Sequence, residues 1–323
     1  MHYLKGNKMS QEKKRGIGSY LKIYLLGLAM GAADVVPGVS GGTIAFIGGI
    51  YTELLRSIRS ISWELLSIWK KSGLQGVYKH VNASFLLTLG FGILTSIFSL
   101  AKVVSYLLEN EAISLWSFFF GLVLASTLFV LRKIENWNFK TLLSLTLGVT
   151  IASALLWLEP AQGSVYPLGI FLAATVAISA MILPGISGSF ILLLLGVYAP
   201  VLEAVKNLEF FTLSIFSLGC LLGLLTFVRV LSWLLKSYKE ITLATLTGFM
   251  LGSLIKVWPW KKVLSSVVNH KGKIIPIKES CLLPHDFEMM LGKDPMTLQA
   301  ISFMVLGFIL IFLINHFSRR KET

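Results

Sequence analysis

Long apolar blocks, separated mostly by short polar stretches, make up the bulk of the chain. Reading each block against the Gly, Pro and charged residues that interrupt it predicts ten apolar segments. They cover roughly residues 18–33, 38–56, 84–108, 113–131, 140–158, 167–182, 185–205, 211–235, 241–258 and 297–317. Blocks of about 18–25 apolar residues are long enough to cross a bilayer as helices. The pattern therefore predicts an all-α polytopic membrane protein.

Two of the linkers between these segments are long. Residues 57–83 are amphipathic and basic, and Trp63 and Trp69 favour a helix that lies at the membrane interface. Residues 259–296 form a polar loop that is rich in Lys, to which the pattern assigns no element.

Composition narrows the class of protein. Hydrophobic residues make up 55% of the 323 residues, against about 45–50% in a soluble domain. Charged residues make up only 14%, against about 25% in a soluble domain. Water-soluble domains, disordered tails and fibrous repeats are therefore excluded.

The formal net charge is +13, and basic residues cluster at both ends of the chain. Lys13, Lys14 and Arg15 precede the first apolar segment, and Arg319 and Arg320 follow the last. The positive-inside rule then predicts that both termini are cytoplasmic. A basic membrane face suits anionic lipids, whereas nucleic acid would need a soluble basic domain that the chain lacks. The first block has no small-residue cleavage pattern, so we expect no cleavable signal peptide.

An internal repeat organises the chain. The motif Pro-Gly-x-Ser-Gly occurs at residues 37–41 and again at 184–188, an offset of 147. We call these two elements the first break and the second break. Downstream the offset becomes 127, which aligns Lys102 with Arg229, because the first half carries an extra linker of 20 residues.

The repeat divides the chain into two halves. The predicted units are a basic cytoplasmic N-terminus 1–17, a first repeat 18–158, a linker 159–166, a second repeat 167–318 and a cytoplasmic tail 319–323. Each half holds five apolar segments, or three crossings if its first two segments form a re-entrant hairpin. Both numbers are odd, so the second half must enter the membrane from the opposite side. We expect two inverted-topology repeats, whichever of the two numbers of crossings applies.

The repeated motif predicts an anion site. Pro removes an amide donor and Gly permits unusual backbone angles, so each break interrupts a helix at membrane depth. The amides that begin the next helix lack intrahelical acceptors and carry partial positive charge, which suits a phosphate or a carboxylate. The residues expected to bind it are Pro37, Gly38, Ser40, Gly41, Gly42 and Thr43 in the first half, and Pro184, Gly185, Ser187, Gly188 and Ser189 in the second. The alternative is that the glycines serve only close helix packing.

Few charged residues lie within the apolar segments, and such residues are functional candidates by default. Asp34 directly precedes the first break, and its repeat counterpart is Met181. It is either an ion-coupling carboxylate or a cap for the next helix. The equivalent residues Lys102 and Arg229 are either head-group-binding cations at the two mouths of a pathway or cations that snorkel to the interface.

Enzyme chemistry finds little support in the sequence. The five histidines lie in flanks, loops or segment ends, and none has a carboxylate at metal-ligand spacing. There is no Walker-type phosphate loop. We expect no catalytic residue, no metal and no cofactor, with H⁺ or Na⁺ as the coupling ion.

The chain resembles the DUF368 membrane proteins, which are polyprenyl-phosphate transporters. The resemblance rests on MGAADVVPGVSGGT at residues 30–43, on Ile50-Tyr51 after it, and on LPGISGS at residues 183–189, and it extends over about residues 18–318. It implies a fold with two inverted-topology repeats, each with a Pro-Gly-interrupted re-entrant helical hairpin and about three transmembrane helices. It also implies transport of undecaprenyl phosphate or a related lipid across the bacterial cytoplasmic (inner) membrane, which recycles the lipid carrier for cell-envelope synthesis.

Three other functions remain open from the residues alone. A transporter of a small organic or inorganic anion would use the same helix termini. A membrane enzyme acting on polyprenyl phosphate would change the lipid covalently. A scaffold or assembly factor would tolerate loss of Ser40 and Ser187.

Overall fold

The computed structural model describes residues 16–35, 40–158, 161, 166–268 and 274–319. Pro37 and Gly38 of the first break lie outside the described residues. So does most of the predicted N-terminus, linker and C-terminal tail.

The first half contains seven described helices, and they follow the predicted segments closely. They are α1 (Ile17–Val35), α2 (Gly41–Ile47), α3 (Tyr51–Arg59), α4 (Glu64–His80), α5 (Ala83–Asn110), α6 (Ala112–Leu131) and α7 (Phe139–Leu155). The predicted segment 38–56 is not one helix, because the chain turns between α2 and α3. Gly49 takes a φ of +75° at that turn, a backbone angle that favours Gly.

The second half has a similar order of long helices, but no described helix stands in the place of α4 and an insertion precedes the last helix. Its elements are α8 (Pro167–Ile182), α9 (Gly188–Leu194), α10 (Tyr198–Asn207), α11 (Phe210–Ser237), α12 (Lys239–Ser253), β1 (Lys261–Val268), β2 (Ile274–Cys281), α13 (Pro284–Leu291) and α14 (Thr297–Arg319). The predicted segment 185–205 is again two short helices, α9 and α10, which are bent by 108°. Gly196, the repeat counterpart of Gly49, has a φ of +67° at this bend.

The polar stretch 259–296 is the main departure from the all-α prediction. Its β1 and β2 pair as an antiparallel hairpin, with Lys261 opposite Cys281, and α13 follows. The two strands are rich in Val or Ile, residue types that favour strands. Polar residues lie among them, so the stretch has no continuous apolar run and the sequence pattern predicts no element there. Trp260 and Phe287 pack with Ala300 of α14 and hold the region against the helices. The described chain is therefore mainly helical, with one two-stranded sheet.

Four long helix pairs form the body of the protein. The pairs are α1 with α5, α8 with α11, α6 with α14 and α7 with α12. Glycines allow the close approach: a Cβ on Gly148 would lie 3.0 Å from the Cα of Gly248. Four residues further along α12, Gly252 approaches Ala152. Contacts therefore advance together along both helices, so α7 and α12 run parallel.

The pair of α1 and α5 has the same arrangement. Gly27 approaches Gly92, and Gly31, one turn later, approaches Ser96. In the second half, Gly219 of α11 approaches Ala174 of α8 in the corresponding contact. The same helices therefore pair in the same way in each half.

The outer surface of this bundle is apolar. Helices α5, α6 and α11 are each long and apolar enough to cross a membrane. Large side chains such as Phe98 and Phe210 point outward and are mostly exposed. Helix α4 has no buried residue, and Trp63 and Trp69 are exposed, as expected of a helix that lies on a membrane surface.

Candidate functional site

The two breaks meet in the structure. The hydroxyl of Ser40 donates to the Met181 carbonyl over 3.1 Å, and the Tyr51 hydroxyl donates to the Ile182 carbonyl over 3.0 Å. Both acceptors lie at the end of α8, where carbonyl groups lack intrahelical donors. First-half hydroxyls therefore cap the helix that leads into the second break.

A further contact joins α2, the helix after the first break, to the second break itself. The Gly185 amide donates to the Thr43 hydroxyl over 3.0 Å. A Cβ on Gly42 would lie 2.7 Å from the Ile182 carbonyl oxygen, so only Gly fits this approach. Gly185 itself has a φ of +87°, and a Cβ there would lie 2.7 Å from the Phe249 carbonyl oxygen. Pro184, between these contacts, is buried.

At the start of α2, which follows the first break, the amides of Gly41, Gly42 and Thr43 each have an acceptor. Asp34 Oδ1 accepts from the Gly41 amide over 2.7 Å, and the Ser40 hydroxyl accepts from the Gly42 amide over 3.1 Å. The Thr43 amide donates to the Ser40 carbonyl. Of the two roles predicted for Asp34, the structure therefore displays the cap: its carboxylate occupies the position that a bound anion would need.

The start of α9, at the second break, differs. Ser187 occupies the N-cap position but accepts no amide there, and its hydroxyl pairs with that of Ser189 over 3.0 Å. The amides of Gly188, Ser189 and Phe190 meet no acceptor within the part of the chain that the structure describes. These are the unpaired helix-start donors that the motif predicts.

A small cavity lies beside the second break. Its volume is about 20 Å³, close to the space that one water molecule needs. Its lining includes Gly185, Ser187 and Phe190 from the second half, Ala152 from α7, and Lys256 just after α12. Hydroxyl and ammonium donors therefore border one cavity.

Lys256 is the residue that sequence reasoning missed. Its ammonium nitrogen lies 5.4 Å from the centre of the Phe190 ring and 2.8 Å from Glu279 Oε2. A charged residue inside the predicted segment 241–258 was a usable signal. The repeat comparison did not select Lys256, because the aligned position in the first half is Phe129.

The two cations that the repeat did select have other surroundings. The Arg229 guanidinium donates to the Leu225 carbonyl of its own helix and to the Ile61 carbonyl over 2.9 Å, so it ties α11 to the chain before α4. Lys102 is exposed on α5. The hydrogen bonds of Arg229 thus lead away from the two breaks, and a role for either cation in binding the head group stays a prediction.

The sequence of this chain matches a known family of membrane proteins. Residues 30–275 match the model of the VCA0040-like family, which is described as undecaprenyl phosphate translocase-like. The chain belongs to this family. The match includes both breaks, the cavity and Lys256. Family membership, together with the apolar helices, makes the chain a multi-pass membrane protein.

Two relatives of this translocase-like chain carry the same name. A polyprenyl-phosphate transporter of Vibrio cholerae is 49% identical over 302 residues, which cover 94% of this chain and 98% of that protein. A polyprenyl-phosphate transporter of Staphylococcus aureus is 34% identical over 196 residues, which cover 57% of this chain and 64% of that protein. No solved structure matches the chain significantly.

Proposed function

We propose that this chain carries a polyprenyl phosphate, such as undecaprenyl phosphate, across the bacterial cytoplasmic membrane for reuse as a lipid carrier. The phosphate head group passes between the two breaks while the isoprenoid tail stays in lipid. The contact of the two breaks beside a donor-lined cavity carries this proposal. The names of the relatives support the lipid as substrate.

The proposed scaffold is a pair of inverted repeats. Successive crossings alternate in direction, so α6 and α7 are antiparallel. The parallel packing of α7 with α12 then makes α12 antiparallel to its counterpart α6, which supports inversion. The parallel packing of α1 with α5 requires the chain to return between them. This supports a re-entrant hairpin in the first half, with its counterpart at α8 to α10, and both termini in the cytoplasm.

Alternating access suits the difference between the two breaks. The Gly41 and Gly42 amides after the first break are bound by the protein's own Asp34 and Ser40. The amides that begin α9 meet no acceptor among the described residues and lie at a break that borders a cavity. A transporter whose two sides open in turn populates states with one site available and the other occupied. Under this proposal, the described conformation is the state in which the second break is available.

Asp34 is the proposed coupling residue. Its carboxylate accepts from the Gly41 amide, a donor that the phosphate would use at the first break. Protonation, or binding of Na⁺, would weaken this contact and make the amide available. Coupling has a physical reason, because returning an anion to the inside opposes the membrane potential by about 2.3 kcal/mol per charge per 100 mV.

The paired hydroxyls of the second break provide the test of the substrate site. We expect the double substitution Ser187→Ala and Ser189→Ala to lower transport of polyprenyl phosphate in proteoliposomes tenfold or more. Hydrogen bonds to a charged group contribute about 1.5–3 kcal/mol each, so two lost bonds have this effect. The measurement is the initial rate of head-group transfer between leaflets.

Ser302→Ala is the matched control, since Ser302 is exposed and bonds only to its own helix carbonyl at Leu298. Its rate should equal that of the unmodified protein. An unchanged rate in the double variant would contradict the site. Transport of a soluble organic acid in place of the lipid would point to the small-anion alternative.

A further inference from the structure

A buried cluster of three charged side chains lies next to the second break. Glu279 of β2 pairs with Lys256 over 2.8 Å and with Lys261 of β1 over 3.5 Å. The side chains of Lys256, Glu279 and Lys261 are only 12%, 13% and 6% exposed. Both ammonium groups contact the same carboxylate oxygen, Oε2.

The cluster carries one more positive charge than negative. Burial favours the neutral acid at Glu279, but the ammonium groups of Lys261 and Lys256 outweigh it and hold the pKa of that carboxyl below its usual value. Burial lowers the pKa of Lys261 to about 8, against the attraction of Glu279. Two ammonium groups therefore share one carboxylate, and the Lys261 ammonium also donates to the Lys256 carbonyl over 3.0 Å. While both lysines are protonated, the excess positive charge favours a further anion beside the cluster.

The cluster is open toward the proposed substrate path. Lys256 lines the cavity with Ser187 and packs over the Phe190 ring. The ammonium nitrogen of Lys261 instead lies 3.7 Å from the centre of the Trp116 ring, and Lys261 is not among the described residues that line the cavity. The lysine that can meet a ligand is therefore Lys256, and Lys261 lies behind it.

We propose that Lys256 binds the phosphate head group at the second break, and that Glu279 is an internal counter-anion which the phosphate displaces onto Lys261. This inference rests on the proposed function. Lys261 already contacts the same oxygen, so Glu279 keeps a buried partner when Lys256 turns to the phosphate. The exchange leaves no buried charge unpaired, which makes arrival of the head group compatible with burial of the cluster.

Opposite effects of two substitutions test this exchange. The full-length protein is titrated with a polyprenyl phosphate of defined chain length, with the uncharged polyprenol, and with inorganic phosphate. We expect Lys256→Gln to weaken binding of the polyprenyl phosphate tenfold or more. Glu279→Gln removes the carboxylate that competes with the phosphate for Lys256, so it should tighten binding of the polyprenyl phosphate several-fold. Polyprenol binding should not change in either variant.

Glu135→Gln is the matched control, because Glu135 forms an exposed ion pair with Lys239 at 3.8 Å. Its affinity should match that of the unmodified protein. If the Glu279→Gln protein does not fold, the Lys261→Gln variant tests the exchange in its place. Without Lys261, Glu279 stays with Lys256 and polyprenyl phosphate should bind several-fold more weakly, although Lys261 does not touch the head group.

Other binding results would contradict either the exchange or the proposed function. Equal weakening by Lys256→Gln and Glu279→Gln would make the cluster a structural element and overturn the exchange. If Lys256→Gln bound normally while the unmodified protein preferred polyprenyl phosphate over polyprenol, only this inference would fail. No such preference in the unmodified protein would contradict the proposed function itself. Equally tight binding of inorganic phosphate would overturn the lipid as the ligand of Lys256.

Discussion

Replacing Asp34 by Asn should remove the response of transport to cation gradients. The Asn side chain keeps an oxygen that can accept from the Gly41 amide, so the cap at α2 persists. It cannot take up a proton or offer a negative charge to Na⁺. A cation gradient equivalent to 100 mV supplies about 2.3 kcal/mol per cation, roughly a fifty-fold effect, and the variant should lose that stimulation. The measurement is transport in proteoliposomes with imposed pH or Na⁺ gradients.

Asp294→Asn is the control for this substitution. Asp294 also accepts a backbone amide, that of Met296, but lies exposed in a loop. Its variant should respond to gradients like the unmodified protein. An Asp34→Asn protein that kept its full response to the coupling gradient would contradict the role of Asp34.

Replacing Gly185 by Ala should abolish transport and destabilise the fold. The residue would have to keep a φ of +87°, which costs a non-Gly residue about 1–2 kcal/mol. Its Cβ would also lie 2.7 Å from the backbone oxygen of Phe249, and such overpacking costs about 1–3 kcal/mol. We expect a lower midpoint of thermal unfolding in detergent, because α9 and α12 must move apart.

Substitutions at two other glycines separate the effect of backbone strain from that of the steric clash at Gly185. Gly49 has a φ of +75°, but a Cβ added there would meet no atom within 4 Å, so Gly49→Ala carries the strain without the clash. Gly90 has neither a positive φ nor an atom within 4 Å of an added Cβ, so Gly90→Ala should not lower the unfolding midpoint. The predicted order of unfolding midpoints is Gly185→Ala lowest, Gly49→Ala next and Gly90→Ala highest. A Gly185→Ala protein as stable as Gly49→Ala would show that the contact with Phe249 is not essential.

Much of the scaffold follows from the sequence pattern. The predicted segments 84–108, 113–131, 167–182 and 211–235 each coincide with one helix, since apolar length and Gly/Pro punctuation are local properties. The segment 185–205 is where the pattern was too coarse. A continuous apolar run does not reveal that Gly196 turns the chain.

The candidate site was predictable only in part. The repeated motif led to Ser187 and Gly185, which the structure places beside a cavity, but it could not show that Asp34 would occupy the first set of amides. The repeat also pointed to Arg229, whose guanidinium donates to the Leu225 and Ile61 carbonyls, and its role in binding the head group stays a prediction.

Lys256 lay beyond that reasoning for a physical reason. Its partner Glu279 is 23 residues away, on a strand that has no counterpart in the first half. A repeat comparison finds what the halves share, whereas this cluster depends on an element that only one half possesses. Pairing across the hairpin is a property of the folded chain.

The most direct test of the central claim is photo-crosslinking of the lipid to a photoreactive residue at position 190. Phe190 borders the cavity at the second break, whereas Phe98 faces outward and is 80% exposed. We expect polyprenyl phosphate to crosslink at position 190 and unlabelled polyprenyl phosphate, but not polyprenol, to suppress the product. Crosslinking at position 98 should not depend on the phosphate. Phosphate-independent crosslinking at position 190, or none there, would contradict passage of the head group between the two breaks.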